Sequence, residues 1–163
     1  MKRIYDSQDI DENFPKTVHP KLWTAIVPAA GRGTRLKYDK PKILFPIAGK
    51  LILDWIVDLL NPFCKEFVFI FSPDGKREIA PILEKVLPGR YKIAIQKTPN
   101  GMGDAILRAK DYVKTKYSLI IWGDQIGLKK ETIKKSIRAH ENRENALLTC
   151  PTLITENPYI HFQ

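Results

Sequence analysis

The sequence contains few cysteines and histidines and no long apolar run. Of its 163 residues, two are cysteine and three are histidine. Cys64 and Cys150 lack the CxxC or Cys/His spacing of a zinc site, so we expect two buried, reduced thiols. The longest apolar runs, such as residues 67–71, have the length of strands, and no apolar segment follows the N-terminus. The sequence therefore predicts a cytoplasmic protein without a disulfide framework, a signal peptide or a membrane span.

The net charge of the chain is strongly positive. It carries 27 Lys and Arg residues against 18 Asp and Glu residues, which gives a formal net charge of +9. Such an excess favours an anionic ligand, whether nucleic acid, a membrane surface or phosphate groups. One group of cations lies on or beside a predicted helix: Lys129, Lys130, Lys134, Lys135, Arg138 and Arg143. Because Glu131, Glu141 and Glu144 are interspersed with them, a solvated helix face is a better interpretation than a nucleic-acid surface.

The pattern along the chain predicts a polar leader over residues 1–21 and one nucleotide-binding domain over residues 22–163. The leader contains Pro15 and Pro20 and shows neither the helical nor the strand period. Apolar runs predict strands at Trp23–Pro28, Phe67–Phe71, Tyr91–Ile95, Leu119–Trp122 and Ala146–Thr149. Helical spacing predicts helices at Leu51–Leu60, Ile79–Val86, Asp104–Val113 and Glu131–His140. Because strands and helices alternate, we expect an α/β fold with a three-layer, open, mostly parallel sheet.

The turn after the first predicted strand has the composition of a phosphate-binding loop. It reads A-A-G-R-G-T-R-L over residues 29–36, followed by Pro-Lys at residues 41–42. Gly31 and Gly33 let the backbone approach a base or a phosphate, and Arg35 and Lys42 add positive charge. No Walker A motif is present, and the dinucleotide motif GxGxxG is incomplete because residue 36 is leucine. The sequence therefore favours an anion-binding turn over an ordinary tight turn.

Two further turns follow predicted strands. Gln96, whose amide can pair with a pyrimidine edge, precedes N-G-M-G-D-A over residues 100–105, where a helix begins. W-G-D over residues 122–124 ends another strand, and the acid there needs a cationic partner, for which Mg²⁺ is the natural choice. The alternatives are ordinary turns, in which Asp104 and Asp124 are acids at the start of a helix. Since the carboxyl ends of parallel strands share one crevice, the three turns together predict a nucleotide site.

These motifs resemble the sugar-phosphate nucleotidyltransferase family, and within it the N-acetylglucosamine-1-phosphate uridylyltransferases. The resemblance rests on A-A-G-R-G-T-R-L with Pro-Lys, on Gln96 ahead of G-M-G-D-A, and on W-G-D. It extends from Trp23 to about Pro158. It implies a GT-A-like, Rossmann-like fold and a Mg²⁺-dependent reaction, in which a sugar 1-phosphate attacks the α-phosphate of a nucleoside triphosphate and pyrophosphate leaves.

The resemblance also implies a role for each matching residue. Arg35 and Lys42 would be catalytic, acting on the charge of the triphosphate, and Asp124 would be catalytic as the ligand of Mg²⁺. Gln96 would read the pyrimidine base. The nucleotide-binding residues would be Pro28, Ala29, Ala30, Gly31, Gly33, Gln96, Gly101, Met102, Trp122 and Gly123. The chain departs from the family where Met102 replaces a common threonine and where residues 158–161 read P-Y-I-H instead of G-Y-G-R.

Several alternatives stay open at this point. Gln96 favours UTP, with CTP and dTTP as further candidates, and the acceptor phosphate and the oligomeric state are undetermined. A nucleotide-binding regulatory module without turnover is the main alternative to an enzyme, and a nucleic-acid binder is a third hypothesis suggested by the charge. The family's second metal ligand and sugar contacts lie beyond residue 163, and the pattern breaks off over Thr155–Gln163. We therefore expect the chain to be part of a longer protein.

Overall fold

The structure, a computed structural model, describes residues 4–31 and 36–153. The chain forms two compact units. The larger unit comprises residues 19–130, and the smaller combines residues 1–18 with residues 131–163. The predicted separation of a leader over residues 1–21 from a domain over residues 22–163 stays a prediction.

The described residues form short strands and helices in alternation. The strands are β1 (Trp23–Pro28), β2 (Pro46–Ile47), β3 (Lys50–Leu51), β4 (Glu66–Phe71), β5 (Tyr91–Ile95) and β6 (Tyr117–Ile120). The helices are α1 (Ser7–Asn13), α2 (Ile52–Leu60), α3 (Pro73–Val86), α4 (Met102–Leu107) and α5 (Lys130–Glu141). Single 3₁₀ turns lie at Pro20–Leu22, Lys42–Leu44 and Lys110–Tyr112.

The larger unit is built on a four-stranded parallel sheet with the order β5-β4-β1-β6. The chain starts at β1, moves outward through β4 and β5, and then returns to pair β6 with the other side of β1. The strand order therefore reverses between β1 and β6. In open α/β sheets, ligands bind at such a reversal, in the crevice beyond the carboxyl ends of the strands. The predicted open, mostly parallel sheet is confirmed.

Strand β4 is buried along nearly its whole length. Every residue from Phe67 to Phe71 is at most 1% exposed. Three phenylalanines share one face of the strand, and their ring centroids are 6.1 and 5.8 Å apart in nearly parallel stacking. Val68 and Ile70 occupy the opposite face, in a cluster with Ile26 of β1. A continuous apolar run of this kind is typical of a strand that is covered on both faces.

Helices cover both faces of the sheet within the larger unit. Ala105 of α4 and Ala109, which follows that helix, pack into the cluster around Val68. Helix α3 approaches the opposite face, where a Cβ atom on Gly75 would lie 3.7 Å from the Cβ of Phe71. The unit therefore has the predicted layers of helix, sheet and helix.

Several element boundaries differ from the sequence-based expectation. Helix α3 begins at Pro73 instead of at residue 79, because Ser72 caps it by accepting a hydrogen bond from the Gly75 N–H at 3.2 Å. Helix α4 ends at Leu107, although a helix was expected to continue to residue 113. Strand β6 covers residues 117–120, two residues earlier than predicted at both ends, and the backbone after it still contacts β1 through the hydrogen bond from the Ile121 N–H to the Ile26 carbonyl oxygen at 3.1 Å.

A two-residue hairpin between β2 and β3 was not predicted. Ala48 and Gly49, which join the two strands, have φ angles of +49° and +79°. Positive φ at both central positions is the signature of a type I′ turn, which matches the twist of antiparallel strands. The sequence signal was weak because alanine is uncommon at a positive φ.

The smaller unit contains one helix that was not expected and lacks one expected strand. Helix α1 lies inside the polar segment, where Asp6 accepts hydrogen bonds from the backbone N–H groups of Gln8 and Asp9. The strand expected at residues 146–149 is irregular backbone. Leu147 and Leu148 in that segment are 96% and 76% exposed. No neighbouring strand pairs with the segment among the described residues, and a strand needs such a partner for its backbone groups.

Arg138 contradicts the expectation that the basic residues of α5 form a solvated face. Its side chain is 2% exposed, and its guanidinium donates to the backbone oxygens of residues 10, 14 and 15 and to Asp11 Oδ1. Lys135 donates to Ser7 and to the same carboxylate. Hydrogen bonds from Lys135 and then Arg138 hold the pKa of Asp11 below its usual value. These two cations of the basic run therefore serve the packing of the smaller unit.

The two cysteines have different environments, which corrects the expectation that both are buried. Cys64 is buried and Cys150 is exposed, and both are free thiols. Burial raises the pKa of Cys64 to about 12, so its thiolate is not populated at neutral pH. Among the described residues, no helix is long and apolar enough to cross a membrane.

Candidate functional site

The W-G-D turn after β6 packs directly against the end of β1. The Gly123 N–H donates to the Pro28 carbonyl oxygen at 3.1 Å. A Cβ atom on Gly123 would lie 2.9 Å from the Ala29 Cβ and 3.1 Å from the same carbonyl oxygen. Only glycine fits there without displacing backbone atoms. The sequence prediction that the first and third turns meet at one crevice is consistent with this contact.

Replacing Gly123 with alanine should therefore move the turn that carries Asp124. We expect the overpacked methyl group to lower the free energy of unfolding by about 1–3 kcal/mol, as measured by urea denaturation. Gly127→Ala is the matched control, because a Cβ atom on Gly127 would meet nothing within 4 Å. Equal stability of the two variants would contradict the close packing described here.

Lys42 and Asp124 form an ion pair in this crevice. The Lys42 Nζ donates to Asp124 Oδ2 at 2.6 Å, and the two side chains are 38% and 45% exposed. Lys42 begins a 3₁₀ turn that is anchored by Ile43 and Leu44, which are 1% and 5% exposed. The sequence predicted that the acid at this strand end meets a cation. In the structure that cation is Lys42.

The glycine-rich turn after β1 lines a cavity of about 440 Å³. Ala29, Ala30 and Gly31 contribute one side of it, and residues 37–41 contribute another. The remaining wall is the start of α3, through Ser72, Asp74, Gly75 and Glu78. Sequence reasoning missed this last wall because it placed the beginning of α3 six residues too late. The predicted residues Gly33 and Arg35 lie outside the described residues.

Gln96 is held at the carboxyl end of β5 by backbone and side-chain hydrogen bonds. Its N–H donates to the Phe71 carbonyl oxygen at 2.9 Å, which extends the pairing of β5 with β4 by one residue. The side chain is buried, and its Nε2 donates to the Gly101 carbonyl oxygen at 3.0 Å and to Asp104 Oδ2 at 2.9 Å. Gly101 has a φ of +93°, so glycine is needed at the point where the chain enters α4.

Asp104 connects Gln96 to a residue that sequence reasoning missed. Arg108 donates to Asp104 Oδ1 at 2.8 Å, one helical turn away. This hydrogen bond, followed by the one from Gln96, holds the pKa of Asp104 below its usual value. The spacing of four residues between the acid and the arginine was the available signal for this pair.

Two large apolar side chains near these turns are open to solvent. Met102 at the start of α4 is 41% exposed, and Trp122 after β6 is 50% exposed. The Trp122 backbone N–H donates to Gln125 Oε1 at 3.1 Å, which closes the turn that contains Asp124. Among the described residues, no hydrogen bond or ion pair joins the cluster around Gln96 to the pair of Lys42 and Asp124. The structure thus places the predicted residues in separate groups along one edge of the sheet.

The chain is similar to proteins of one family. Residues 25–159 match the family of MobA-like NTP transferase domains. The chain is 34% identical over 134 residues to the bifunctional protein GlmU of Fervidobacterium nodosum, a match that covers 82% of this chain and 28% of that protein. It is 42% identical over 115 residues to GlmU of Thermodesulfovibrio yellowstonii, covering 69% of this chain and 24% of that protein. The chain therefore spans about a quarter of the length of these relatives.

Solved structures share the fold at lower identity. The inositol-1-phosphate CTP transferase from T. maritima superposes with a TM-score of 0.58 at 21% identity, covering 66% of this chain and 45% of that one. The 4-diphosphocytidyl-2C-methyl-D-erythritol synthase from Anaerococcus prevotii gives a TM-score of 0.61 at 21% identity, over 76% of this chain and 52% of that one. These similarities confirm the fold predicted from the alternating strands and helices.

Proposed function

Because this chain belongs to the family of MobA-like NTP transferase domains, we propose that it transfers a nucleotidyl group from UTP to a sugar 1-phosphate and releases pyrophosphate. The observation that carries the proposal is the ion pair of Lys42 and Asp124, 2.6 Å apart. It lies where the strand order reverses between β1 and β6, the usual place for a nucleotide in such sheets. Motifs far apart in the sequence supply these two charges, and the fold joins them.

The proposed reaction needs charge stabilisation more than a nucleophilic side chain. An oxygen of the sugar 1-phosphate forms a bond to the α-phosphorus of UTP, and the bond from that phosphorus to the bridging oxygen breaks. Pyrophosphate takes the electron pair, and no proton has to move because the attacking phosphate oxygen is already ionised. Catalysis of this kind is mainly positioning and electrostatics. Lys42 and Arg35 would supply positive charge to the phosphates.

The donor at the proposed metal position fits Mg²⁺. Asp124 offers a hard carboxylate oxygen, and proteins often hold Mg²⁺ through one or two carboxylates while phosphates and water complete the coordination. Within the described residues no group of three or more His, Cys, Asp or Glu side chains could hold a metal. When bound, Mg²⁺ would neutralise negative charge on the phosphates. Lys42 would exchange its partner Asp124 for a phosphate oxygen.

The remaining predicted residues have proposed roles in holding the nucleoside. Gln96 would contact the base, with Gly101 and Met102 beside it. Trp122 and Gly123 would flank the nucleoside. The small residues of the first turn would lie along the nucleotide: Pro28, Ala29, Ala30, Gly31 and Gly33. The cavity of about 440 Å³ at this turn supports the assignment of Ala29, Ala30 and Gly31, which line it.

Pyrophosphate release tests the proposal. The full chain is incubated with Mg²⁺ and with UTP, CTP or dTTP, each against a panel of sugar 1-phosphates. We expect release with UTP and one acceptor, and none when Mg²⁺ is chelated. Nucleotide binding without release for any acceptor would overturn the transferase and leave a nucleotide-binding module. Release with CTP or dTTP alone would retain the transferase and correct the nucleotide.

A further inference from the structure

The side-chain amide of Gln96 has one permitted orientation. Its two neighbours are the Gly101 carbonyl oxygen at 3.0 Å and Asp104 Oδ2 at 2.9 Å. Both are acceptors, and Asp104 is an ionised carboxylate that also receives a hydrogen bond from Arg108 at 2.8 Å. The amide nitrogen must therefore face them, because the amide oxygen would be repelled. The usual ambiguity between the nitrogen and oxygen of a glutamine does not arise here.

The amide oxygen of Gln96 can accept a hydrogen bond. No described residue donates to it. Gln96 is only 6% exposed, yet no fully buried side-chain oxygen of the described residues lacks a partner. The oxygen must therefore be the part of this side chain that reaches solvent. A buried side chain with one open acceptor is suited to recognise a single donor on a ligand.

We propose that Asp104, supported by Arg108, is a positioning residue that makes the nucleotide site select a pyrimidine base with an N–H donor at N3. This inference rests on the proposed function, in which Gln96 contacts the base. Uracil presents the N3–H group to such an oxygen, whereas cytosine has an acceptor at N3. Asp104 prevents the amide from rotating to offer its NH₂ group instead. The acid of the G-M-G-D-A motif thus contributes to base selection without touching the nucleotide.

The expected behaviour of the wild-type protein is tested by equilibrium binding. Isothermal titration calorimetry with Mg²⁺ compares UTP with N3-methyl-UTP, which lacks the N3–H donor. We expect UTP to bind more tightly by on the order of 10- to 100-fold, because the bound analogue covers the Gln96 oxygen without donating a hydrogen bond to it. Equal affinity for the two nucleotides would show that the oxygen of Gln96 does not read the base, and the inference would fall.

The role of Asp104 is tested by Asp104→Asn, which keeps the shape and removes the fixed acceptor. Because asparagine can present either its oxygen or its NH₂ group, the Gln96 amide becomes free to rotate. We expect the preference for UTP over N3-methyl-UTP to fall to roughly threefold or less, and CTP to gain affinity relative to UTP. Asp111→Asn is the matched control, since it removes an equal charge from an exposed position in the same unit.

The outcomes separate this inference from the proposed function. If Asp104→Asn keeps the wild-type ratio of affinities, Asp104 does not orient Gln96, although uridylyl transfer can stand. If both variants lose discrimination equally, the effect is one of charge, and the inference is again wrong. If no pyrimidine nucleotide binds to the wild-type protein, the proposed function fails together with the inference. A thermal unfolding midpoint measured for each variant separates loss of base selection from loss of fold.

Discussion

Replacing Asp124 with asparagine should lower the rate of pyrophosphate release by on the order of 10³-fold. Asparagine has the same shape but no charge, so it would hold Mg²⁺ beside the phosphates far more weakly and could not form an ion pair with Lys42. The fold should persist, because the ion pair joins two half-exposed side chains and such pairs contribute about 1 kcal/mol or less. The release assay is complemented by Mn²⁺ binding in the presence of UTP, which should weaken in parallel.

Asp111→Asn is the control for the loss of one negative charge, and it should retain wild-type release. Turnover within a fewfold of wild type in Asp124→Asn would remove Asp124 from the proposed metal site. Lost turnover with unchanged Mn²⁺ binding would instead make its contact with Lys42 the important one. Loss of the metal and loss of the contact with Lys42 can be distinguished, because Mn²⁺ binding is measured independently of turnover.

Replacing Arg138 with alanine should destabilise the smaller unit by about 3–5 kcal/mol. The buried guanidinium satisfies three backbone oxygens and one carboxylate oxygen at 2.7–2.9 Å. Without it, each of these acceptors loses a donor near the end of α1, and of its two cationic partners the carboxylate of Asp11 retains Lys135. Amide hydrogen exchange in α1 and α5 reports the free energy of opening this unit.

Lys134→Ala is the matched control for Arg138→Ala, because it removes a positive charge from the same helix at a half-exposed position. Its effect should stay within about 0.5 kcal/mol. If the exchange rates of the two variants are the same, the hydrogen bonds of Arg138 do not hold the unit together. Arg138→Lys should recover only part of the stability, since an ammonium group cannot span the same acceptors.

Much of the fold followed from apolar patterning. The bounds of β1 and β5 agree with the prediction because each is a short run between clear turn residues. The family, too, was predicted correctly from the three turns. Sequence patterning failed where the structure of a segment depends on contacts with residues distant in the sequence. Residues 146–149 have the composition of a strand but find no neighbour among the described residues, and α1 forms in a segment with little apolar character.

The contacts within the site were less predictable than its composition. The motifs indicated that a lysine and an acid belong near one crevice, but their pairing depends on β6 lying next to β1. The position of β6 beside β1 follows from the order of the strands in the sheet, which the apolar pattern of the sequence does not determine. Arg138 was misjudged for a similar reason. The sequence predicts that a basic residue on a helix with nearby glutamates is exposed to solvent. It does not show that residues 10–15 supply backbone oxygens to the Arg138 side chain.

The strand order also bears on how the chain is assembled during synthesis. β1 leaves the ribosome before the strands that flank it, and one of its edges stays unpaired until β6 has emerged. Until then the glycine of the W-G-D turn has nothing to pack against, and Lys42 lacks its carboxylate. An open edge on an apolar strand is prone to wrong pairing, and late non-local contacts fold slowly. Nascent chains that stop before residue 117 should therefore depend on chaperones more than chains that include β6.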